Sequence, residues 1–407
     1  MYPTLFTIPF FPEGWGDVKS YGFMMMIAFL SGIWLAARRA MRVQADPDLV
    51  LNLGLIALVT GVAGARIFFV WHYWEDQFAT QINPIWAAMR IDRGGLEFWG
   101  GPILGIPCMA LYLWWKKASI RWYMDILAPS LMWGLAITRI GCFLNGCCWG
   151  GVCVDPNDRV NAAAGLPWAM RFPYASPAMA QQYQFRQMTL PKELQYTLPN
   201  GQTVPLPREY LEMSRAELDG PRRDLERAES ELTLLKRMGA DAEEIKKKEV
   251  TAEKARETLK THEQVLLPLN QVMSRTGLDH SQLTELVGHY RSLPVHPTQL
   301  YSMVNAFFLS WILSVLFYRR RRHGVVAGWM VVLYSGTRIL LECVRQDNPL
   351  DVAHLTISQS VSLGIIVLAG LYFWRILRMP ERSPLAIPFV FPEDEDPPRP
   401  MARPASG

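Results

Sequence analysis

Seven hydrophobic runs divide the chain into two groups that are separated by a long polar segment. Apolar residues fill each run almost continuously, which is typical of membrane-spanning helices. A straight helix needs roughly 20 residues to cross the hydrocarbon core, so most runs are long enough, and the first and third need flanking residues. The predicted spans are 22–37, 51–73, 98–115, 122–142, 300–317, 325–344 and 358–376.

The polar segment 154–293 interrupts the membrane pattern after the fourth run. Its first part is rich in Pro, Ala, Gln and Tyr without a clear period, and short strands are expected around 196–204. Its second part, 208–266, is charged and helical in pattern. Leucines that recur every seven residues predict a coiled-coil seam there, at Leu211, Leu218, Leu225 and Leu232.

Breaker residues in this charged part predict a helical hairpin. Gly220 and Pro221 divide it into two helical pieces, with Pro221 near a first turn. Gly239 then favours a turn, and Asp241 can cap a returning helix. An antiparallel hairpin is the simplest arrangement. A solvated spacer without chemistry is favoured over a recognition module.

Together these patterns predict an all-α polytopic membrane protein with seven transmembrane helices and a large, partly helical extracytoplasmic insertion. We expect a membrane domain in two parts, 1–153 and 294–379, around an insertion at 154–293. The tail 380–407 is rich in Pro and acidic residues, which predicts disorder. Hydrophobic residues make up 50% of the chain and charged residues 19%, as expected for a membrane domain joined to a polar one.

Basic residues predict the orientation of the chain, because Lys and Arg in short loops favour the cytoplasmic side. Clusters follow the first, third, fifth and seventh runs, so the N-terminus and the insertion are expected outside and the C-terminus inside. The first residues lack a basic region and a small-residue cleavage site, so no removable signal peptide is expected. The net charge of +4 arises largely from these clusters and gives no indication of a nucleic-acid partner.

Three charged residues lie within or at the end of the sixth run: Arg338, Glu342 and Arg345. Their spacing of four and then three residues places them on one helical face. A charge near the bilayer centre costs roughly 2.5–3.5 kcal/mol, so this face should have a function. An internal salt bridge is the plain alternative, but two arginines for one carboxylate leave a positive excess that favours a bound anion. Arg66 in the second run is a further candidate.

Two Gly-Gly pairs flank the start of the third run, in the segment 93–101. Glycines let a backbone approach a ligand closely, and an amide-rich turn at a helix N-terminus favours phosphate. Gly100 and Gly101 are therefore candidates for substrate binding. Tight packing of helices through small residues is an equally good interpretation.

Two polar motifs are expected at the outer ends of the fourth and fifth spans, in 138–151 and 295–301. The arginine of the first motif offers a planar fork that matches phosphate oxygens. Small and polar neighbours argue against simple snorkelling of this arginine. The candidate residues of the two motifs are Arg139, Asn145, Gly150, His296, Gln299 and Tyr301.

Four of the six cysteines crowd the same end of the fourth span, at Cys142, Cys147, Cys148 and Cys153. Their spacing does not match paired C-x-x-C zinc motifs, so we expect no metal. A disulfide on the oxidising side and packing of small side chains both stay open, and no pairing is predicted.

These motifs, in this order, resemble the prolipoprotein diacylglyceryl transferases of bacterial lipoprotein maturation. The segment around Arg139 and the His-Pro-Thr-Gln-Leu-Tyr motif at 296–301 are specific, whereas the glycine pairs alone are not. The resemblance covers all the spans but not 154–293, where the family has a smaller head domain. The matching pieces are Tyr21-Gly22, 61–66, the Gly-Gly segment, 139–150, 296–301 and the face of Arg338, Glu342 and Arg345.

The resemblance implies a seven-helix enzyme of the bacterial inner membrane. Such enzymes move the diacylglyceryl group of phosphatidylglycerol to the thiol of a lipobox cysteine in a prolipoprotein signal peptide. A thioether forms and glycerol-1-phosphate leaves. No metal or soluble cofactor and no nucleic acid are implied, and a monomer is expected.

The resemblance also predicts residue roles. Arg139 and Arg338 would bind the lipid phosphate, Glu342 would hold Arg338, and Tyr21 and Asn145 would hydrogen-bond the headgroup. Further catalytic or substrate-binding candidates are His296, Gln299, Arg345, Arg66, Gly100, Gly101 and Gly150.

The sequence departs from the family pattern at four positions. Trp99 stands where many members have a histidine that is proposed as a base. Cys142 replaces an asparagine, Cys147 replaces a glutamate, and Ser302 stands where an acid is frequent. The general base therefore stays open, with His296 and Glu97 as alternatives.

Two other functions use the same features. An anion transporter would need polar residues through both halves of several helices, usually with repeat symmetry. A lipid-binding scaffold would depend on the outer hairpin instead of the arginines.

Overall fold

The computed structural model describes residues 4–8, 17–79, 83–89, 95–154, 165–198, 201–238, 242–345 and 355–389. Within these residues the chain is mostly helical. It divides into two compact units: one comprises residues 145–297, and the other comprises 2–144 with 298–407. We call the first the polar unit and the second the apolar unit.

The helices are α1 Ser20–Arg42, α2 Pro47–His72, α3 Pro84–Met89, α4 Gly100–Trp115, α5 Ile120–Asn145, α6 Pro177–Gln184, α7 Arg208–Glu212, α8 Arg215–Met238, α9 Ala242–Val265, α10 Leu267–Thr276, α11 His280–His289, α12 Thr298–Arg319, α13 Val325–Glu342 and α14 Ile357–Leu377. A π-helical turn, Trp74–Phe78, follows α2, and a 3₁₀ turn, Lys192–Leu194, precedes the strands of the polar unit. The described residues also form two antiparallel strand pairs: β1 Thr4–Thr7 with β2 Asp17–Lys19, and β3 Gln195–Thr197 with β4 Thr203–Pro205.

Six helices of the described chain are long and apolar enough to cross a membrane: α1, α2, α5, α12, α13 and α14. The third predicted span forms α4, which has 16 residues. At 1.5 Å per residue it is about 24 Å long, which is short of the roughly 30 Å hydrocarbon core. The helix at the first predicted span, α1, is longer than expected and extends from Ser20 through Arg42.

The apolar unit has a core of buried aliphatic and aromatic residues contributed by α1, α2, α4, α5, α12 and α13. Inside it, the fully buried carboxylate of Asp125 on α5 fixes the start of α13. Asp125 accepts hydrogen bonds from the backbone N–H groups of Gly324 at 2.7 Å and Ala327 at 2.9 Å. Arg320 Nε lies 2.9 Å from the same carboxylate. These contacts supply partners for N–H groups that a helix N-terminus leaves unpaired.

The polar unit has a separate core, which includes Tyr174, Leu194, Leu206, Leu269 and Leu283. The buried Tyr174 hydroxyl donates to the carbonyl oxygens of Leu194 at 3.1 Å and Leu206 at 2.9 Å. This tyrosine therefore ties the segments on either side of the β3–β4 hairpin. The strands expected around 196–204 are present as that hairpin.

An antiparallel hairpin of α8 and α9 extends from the polar unit, as predicted from the charged segment. Ala228 and Ala252 are buried between the helices. Exposed ion pairs also join the two arms: Lys236–Glu249 at 2.7 Å, Lys248–Glu231 at 2.6 Å and Arg256–Glu229 at 2.7 Å. Gly239 and Asp241, the predicted turn and cap, lie outside the described residues.

The predicted break at Gly220-Pro221 is wrong, because α8 runs through both residues. The chain breaks earlier, between α7 and α8, where Ser214 and Glu217 form a reciprocal cap. Glu217 N–H lies 3.2 Å from Ser214 Oγ, and Ser214 N–H lies 2.5 Å from Glu217 Oε2. This capping box sets the helix start, and Pro221 removes only one backbone donor from the helix.

Residues 380–389 at the start of the predicted disordered tail make contacts within the apolar unit. Phe389 N–H donates to the Gln44 carbonyl oxygen at 2.8 Å. Glu381 Oε1 lies 3.2 Å from Arg322 Nη2. The rest of the tail lies outside the described residues.

Candidate functional site

Arg338 and Glu342 lie one turn apart on α13 and form an ion pair. Arg338 Nη2 is 2.9 Å from Glu342 Oε2, and the Glu342 side chain is fully buried. The helix ends at Glu342, so the prediction that Arg345 shares its helical face is wrong. Arg345 instead lies in the turn that follows, where its N–H donates to the Glu342 carbonyl oxygen at 3.1 Å. Its charge nevertheless acts on Arg338 electrostatically.

The start of α14 holds this ion pair in place. Thr356 caps α14, and Gln359 completes a capping box. The Thr356 hydroxyl lies 3.3 Å from Glu342 Oε1. Ser358 is the second residue of α14, and its Oγ atom accepts a hydrogen bond from Arg338 Nε at 3.0 Å. Both members of the pair are therefore oriented by a second helix.

Arg139 lies on α5, which continues one turn beyond the predicted end, to Asn145. Arg139 and Arg338 line one cavity of about 530 Å³, here called the arginine cavity. Its other lining residues are Phe98, Trp99, Tyr334, Ser335, Ile357, Ser358, Val361, Ser362 and Ile365. The structure thus brings together two arginines that are far apart in the sequence.

The arginine cavity has an excess of positive charge. Arg338 has Glu342 as its counterion. Within the described residues Arg139 forms no ion pair, and its buried Nε has no hydrogen-bond partner. A buried donor without a partner is costly, so a ligand oxygen at this position would be stabilised. Two guanidinium groups, serine hydroxyls and apolar walls suit an anion that carries hydrocarbon.

Gly100 and Gly101, which were predicted to bind substrate, lie where α4 packs against α2. A Cβ atom on Gly100 would lie 2.1 Å from the Gly64 carbonyl oxygen, and one on Gly101 would lie 3.3 Å from that of Gly61. The glycines therefore allow α2 and α4 to touch backbone to backbone. Helix packing, the alternative left open from the sequence, accounts for these two glycines.

Arg66 is directed to backbone groups rather than to the arginine cavity. Its guanidinium donates to the carbonyl oxygens of Ala88 at 2.8 Å, Gly95 at 2.9 Å and Ala87 at 3.0 Å. Arg66 lies outside the set of described residues that line the cavity. These contacts fix the connection between α2 and α4, so the substrate-binding role expected for Arg66 gains no support.

Two other predicted residues have identified neighbours in the apolar unit. Tyr21 packs against α5 at Gly141, where an added Cβ would lie 3.3 Å from the Tyr21 Cα atom. Glu97, one of the two candidate bases, lies 3.0 Å from His72 Nδ1 through its Oε2 atom.

The remaining predicted residues fall in or next to the polar unit. Gly150 N–H donates to the His296 carbonyl oxygen at 2.9 Å, and His296 N–H donates to the Gly151 carbonyl oxygen at 3.0 Å. This pairing joins the two polar motifs through their backbones. Asn145 ends α5, and Gln299 is fully buried near the start of α12. Burial raises the pKa of the nearby Cys153 thiol, which disfavours its thiolate.

A comparison with known families identifies the family to which this chain belongs. The family model described as prolipoprotein diacylglyceryl transferase matches residues 10–375. The chain belongs to the prolipoprotein diacylglyceryl transferase family. With six apolar helices of spanning length, it is a multi-pass membrane protein.

Curated relatives of this transferase family are named phosphatidylglycerol–prolipoprotein diacylglyceryl transferase. A protein of Rhodopirellula baltica is 34% identical over 170 residues, which are 40% of this chain and 32% of the relative. A protein of Pseudoalteromonas translucida is 33% identical over 40% of this chain and 56% of the relative. One of Vibrio vulnificus is 32% identical over 47% and 66%, respectively. The chain thus spans less than two thirds of each of these relatives.

The comparisons give no support to the transporter or scaffold alternatives.

Thr356 and Ser358 contact the ion pair of Arg338 and Glu342, and the sequence analysis did not identify them as site residues. Their signal was available: Thr356 and Gln359 form the S/T-x-x-E/Q pattern of a capping box just before a hydrophobic run. That pattern places the start of α14, but not its contact with Arg338.

Proposed function

We propose that this protein transfers the diacylglyceryl group of phosphatidylglycerol to the lipobox cysteine thiol of prolipoproteins. A thioether forms, and glycerol-1-phosphate is released. The observation that carries the proposal is the arginine cavity, in which Arg139 and Arg338 share one space. Membership of the transferase family and the names of the relatives support this choice of substrates.

Arg139 and Arg338 bind the phosphate of phosphatidylglycerol in this proposal. Guanidinium groups form short, charge-assisted hydrogen bonds to phosphate oxygens. As the glycerol carbon–oxygen bond breaks, negative charge grows on the leaving phosphate. Fixed cations stabilise that charge without reorganising, which is often the largest single contribution to catalysis.

Other residues orient this cation pair and the headgroup. Glu342 and Ser358 hold Arg338 through contacts of 2.9 and 3.0 Å, which limits its rotamers. Tyr21 and Asn145 would hydrogen-bond the glycerol headgroup. The substrate-binding roles predicted for Arg345, Gln299 and Gly150 and the catalytic role predicted for His296 stay proposals.

A second cavity supports a diacyl substrate. It has a volume of about 370 Å³ and an almost wholly apolar lining drawn from α2, α4, α5, α13 and α14. Ile365 lines both this space and the arginine cavity. A phospholipid with its phosphate at Arg139 and Arg338 could place hydrocarbon there.

We propose that α4 is the seventh membrane span, with loop residues extending its short helix. The insertion 154–293 and the N-terminus then face outward, and the C-terminus faces the cytoplasm. This placement follows from the basic clusters after alternate spans. It assigns the protein to the bacterial inner membrane, where phosphatidylglycerol and prolipoproteins meet, and it is compatible with a monomer.

The purified full chain tests this proposal with phosphatidylglycerol and a lipobox peptide. We expect the peptide to gain the mass of a diacylglyceryl group and an equal amount of glycerol phosphate to appear. Phosphatidylethanolamine should not replace phosphatidylglycerol. Binding of lipid and peptide without a mass gain, or phosphate flux into vesicles without transfer, would reject the proposal.

A further inference from the structure

The described lining of the arginine cavity contains two arginines but no side chain suited to take a proton from a thiol. None of the described residues that line it is a histidine, a carboxylate or a lysine. A free cysteine thiol has a pKa of roughly 8.5, so most of it is protonated at neutral pH, whereas the thiolate is the nucleophile. A residue beside the cavity must therefore accept the proton, or turnover relies on the small thiolate fraction.

A histidine–carboxylate pair adjoins one wall of the cavity through its carboxylate residue, Glu97. His72 is the last residue of α2, and its Nδ1 lies 3.0 and 3.2 Å from the two carboxylate oxygens of Glu97. Phe98 and Trp99, the next two residues after Glu97, line the arginine cavity. Glu97 is thus bonded directly to the cavity wall in the chain, and His72 is joined to that wall through its contact with the Glu97 carboxylate.

Backbone contacts hold this pair on rigid elements. Glu97 N–H donates to the Ala65 carbonyl oxygen on α2 at 3.0 Å. Arg66 fixes the same stretch by donating to the Gly95 carbonyl oxygen at 2.9 Å. The His72 ring also stacks on Tyr73, with centroids 4.6 Å apart. His72 belongs to α2, and Glu97 is hydrogen-bonded to α2, so the same helix places both members of the pair.

The contact leaves the His72 ring in a form that can accept a proton. Because the carboxylate accepts a hydrogen bond from Nδ1–H, the lone pair of neutral imidazole lies on Nε2. The His72 side chain is 56% exposed and that of Glu97 is 23% exposed. The imidazole is therefore not enclosed by protein, which leaves room for an incoming thiol beside it.

We propose that His72 is the general base of the transfer reaction and that Glu97 positions it. This inference rests on the proposed function. His72 Nε2 takes the proton of the lipobox thiol, and the thiolate sulfur forms a bond to the glycerol carbon. The carbon–oxygen bond to phosphate breaks, its electron pair stays on the phosphate oxygen, and the proton passes from His72 to that oxygen or to water.

Glu342 is a poor rival for this role, because it is fully buried and paired with Arg338. A surface ion pair without function is the plain alternative, since exposed pairs contribute at most about 1 kcal/mol to stability. That alternative predicts no effect on turnover. His296 is the remaining rival, and the experiment separates it by substitution.

The test measures turnover from pH 6.5 to 9.5 in full-length His72→Ala, Glu97→Gln and His296→Gln. At pH 7 we expect His72→Ala to lose about 10²-fold in kcat, the usual scale for general-base catalysis, with KM for phosphatidylglycerol unchanged. The deficit should shrink toward pH 9.5, because the thiol then ionises unaided, and added imidazole should restore part of the rate. Glu97→Gln should lower kcat less, with KM and melting temperature unchanged.

His289→Gln, at the exposed end of α11, is the matched control and should behave as wild type. Wild-type turnover by His72→Ala at pH 7 would overturn the inference, as would a deficit that persists unchanged to pH 9.5. A pH-dependent deficit in His296→Gln but not in His72→Ala would assign the base to His296. Absence of transfer by the wild-type protein would instead reject the proposed function itself.

Discussion

Arg338 shows how far single residues can be interpreted from the sequence. Its charge inside an apolar run already indicated a function, and its spacing from Glu342 predicted the ion pair that the structure contains. The sequence could not show that Ser358 of another helix accepts from Arg338 Nε, because that contact depends on how α13 and α14 pack. The contacts of Arg66 could not be predicted for a similar reason, since its carbonyl partners lie in the short helix α3 and at Gly95, which have no distinctive pattern.

Glu342 is predicted to act through the orientation of Arg338. Glu342→Gln keeps the size of the side chain but removes the counterion, so Arg338 is less firmly held. A displacement of about 1 Å can cost roughly 10²-fold in rate, and we expect a loss of that order in kcat. The measurement is steady-state transfer from phosphatidylglycerol to a lipobox peptide.

Ser230→Ala is the control for Glu342, because this exposed hydroxyl donates within its own helix, to the Glu226 carbonyl oxygen at 2.7 Å. It should retain activity within about threefold, because Ser230 is outside the set of described residues that line the arginine cavity. Equal rates for Glu342→Gln and wild type would show that the ion pair has no positioning role.

At the scale of elements, hydrophobic pattern predicted the helices well, whereas local breakers predicted their ends poorly. The seven apolar runs lie within α1, α2, α4, α5, α12, α13 and α14 or differ from them by a few residues. Pro221 was weighted too heavily, because the cap formed by Ser214 and Glu217 determines where α8 begins. Gly100 could be a phosphate contact or a packing residue by sequence alone, and only the facing helix distinguishes these.

Gly100→Ala is predicted to destabilise the contact between α2 and α4. Alanine favours a helix by about 1 kcal/mol over glycine, but here its Cβ would lie 2.1 Å from the Gly64 carbonyl oxygen. The steric term should dominate, because neither backbone can move without disturbing its helix. We expect a lower melting temperature in detergent.

Gly61→Ala on the facing helix is the matched control, since its Cβ would meet nothing within 4 Å. It should melt at or slightly above the wild-type temperature. A Gly100→Ala protein that melts like Gly61→Ala would contradict the packing account.

Asp125 is predicted to be a main determinant of the start of α13. Asp125→Ala removes two backbone hydrogen bonds, at 2.7 and 2.9 Å, and leaves Arg320 without its carboxylate. Breaking a buried pair in this way typically costs about 3–5 kcal/mol. Denaturant unfolding in mixed micelles measures the loss.

Glu381→Ala removes an exposed partner of Arg322 in the same region, and surface pairs contribute at most about 1 kcal/mol. It should therefore change the unfolding free energy far less than Asp125→Ala. Similar losses in the two variants would contradict the role given to Asp125.

At the scale of the whole molecule, the sequence predicted an apolar part interrupted by a polar one, and the structure contains two compact units divided near residues 145 and 297. Loop arginines were interpreted only as orientation signals. Arg39 is buried and donates to the Ile126 carbonyl oxygen and the Ser130 hydroxyl, both at 2.8 Å. Its partners lie on α5, so this packing role could not be inferred from the charge clusters.

The α8–α9 hairpin is predicted to be dispensable for the transfer chemistry. Residues 226–257 can be replaced by a short Gly-Ser turn, which removes the three cross-arm ion pairs and keeps the hairpin base. We expect transfer to a short lipobox peptide to stay within twofold of wild type. Loss of peptide transfer in a folded variant would contradict the spacer interpretation, whereas loss confined to full-length prolipoproteins would indicate a recognition module.

The central claim is that Arg139 and Arg338 together hold a lipid phosphate, and lipid binding measures it without requiring turnover. Native mass spectrometry can compare phosphatidylglycerol with diacylglycerol, which lacks the phosphate, on wild type, Arg139→Gln, Arg338→Gln and the double variant. Arg378→Gln, at the opposite end of α14, is the charge-matched control. We predict that each cavity substitution weakens phosphatidylglycerol binding at least about tenfold, that the double variant loses the preference over diacylglycerol, and that Arg378→Gln retains it. An undiminished preference in the double variant would contradict the account.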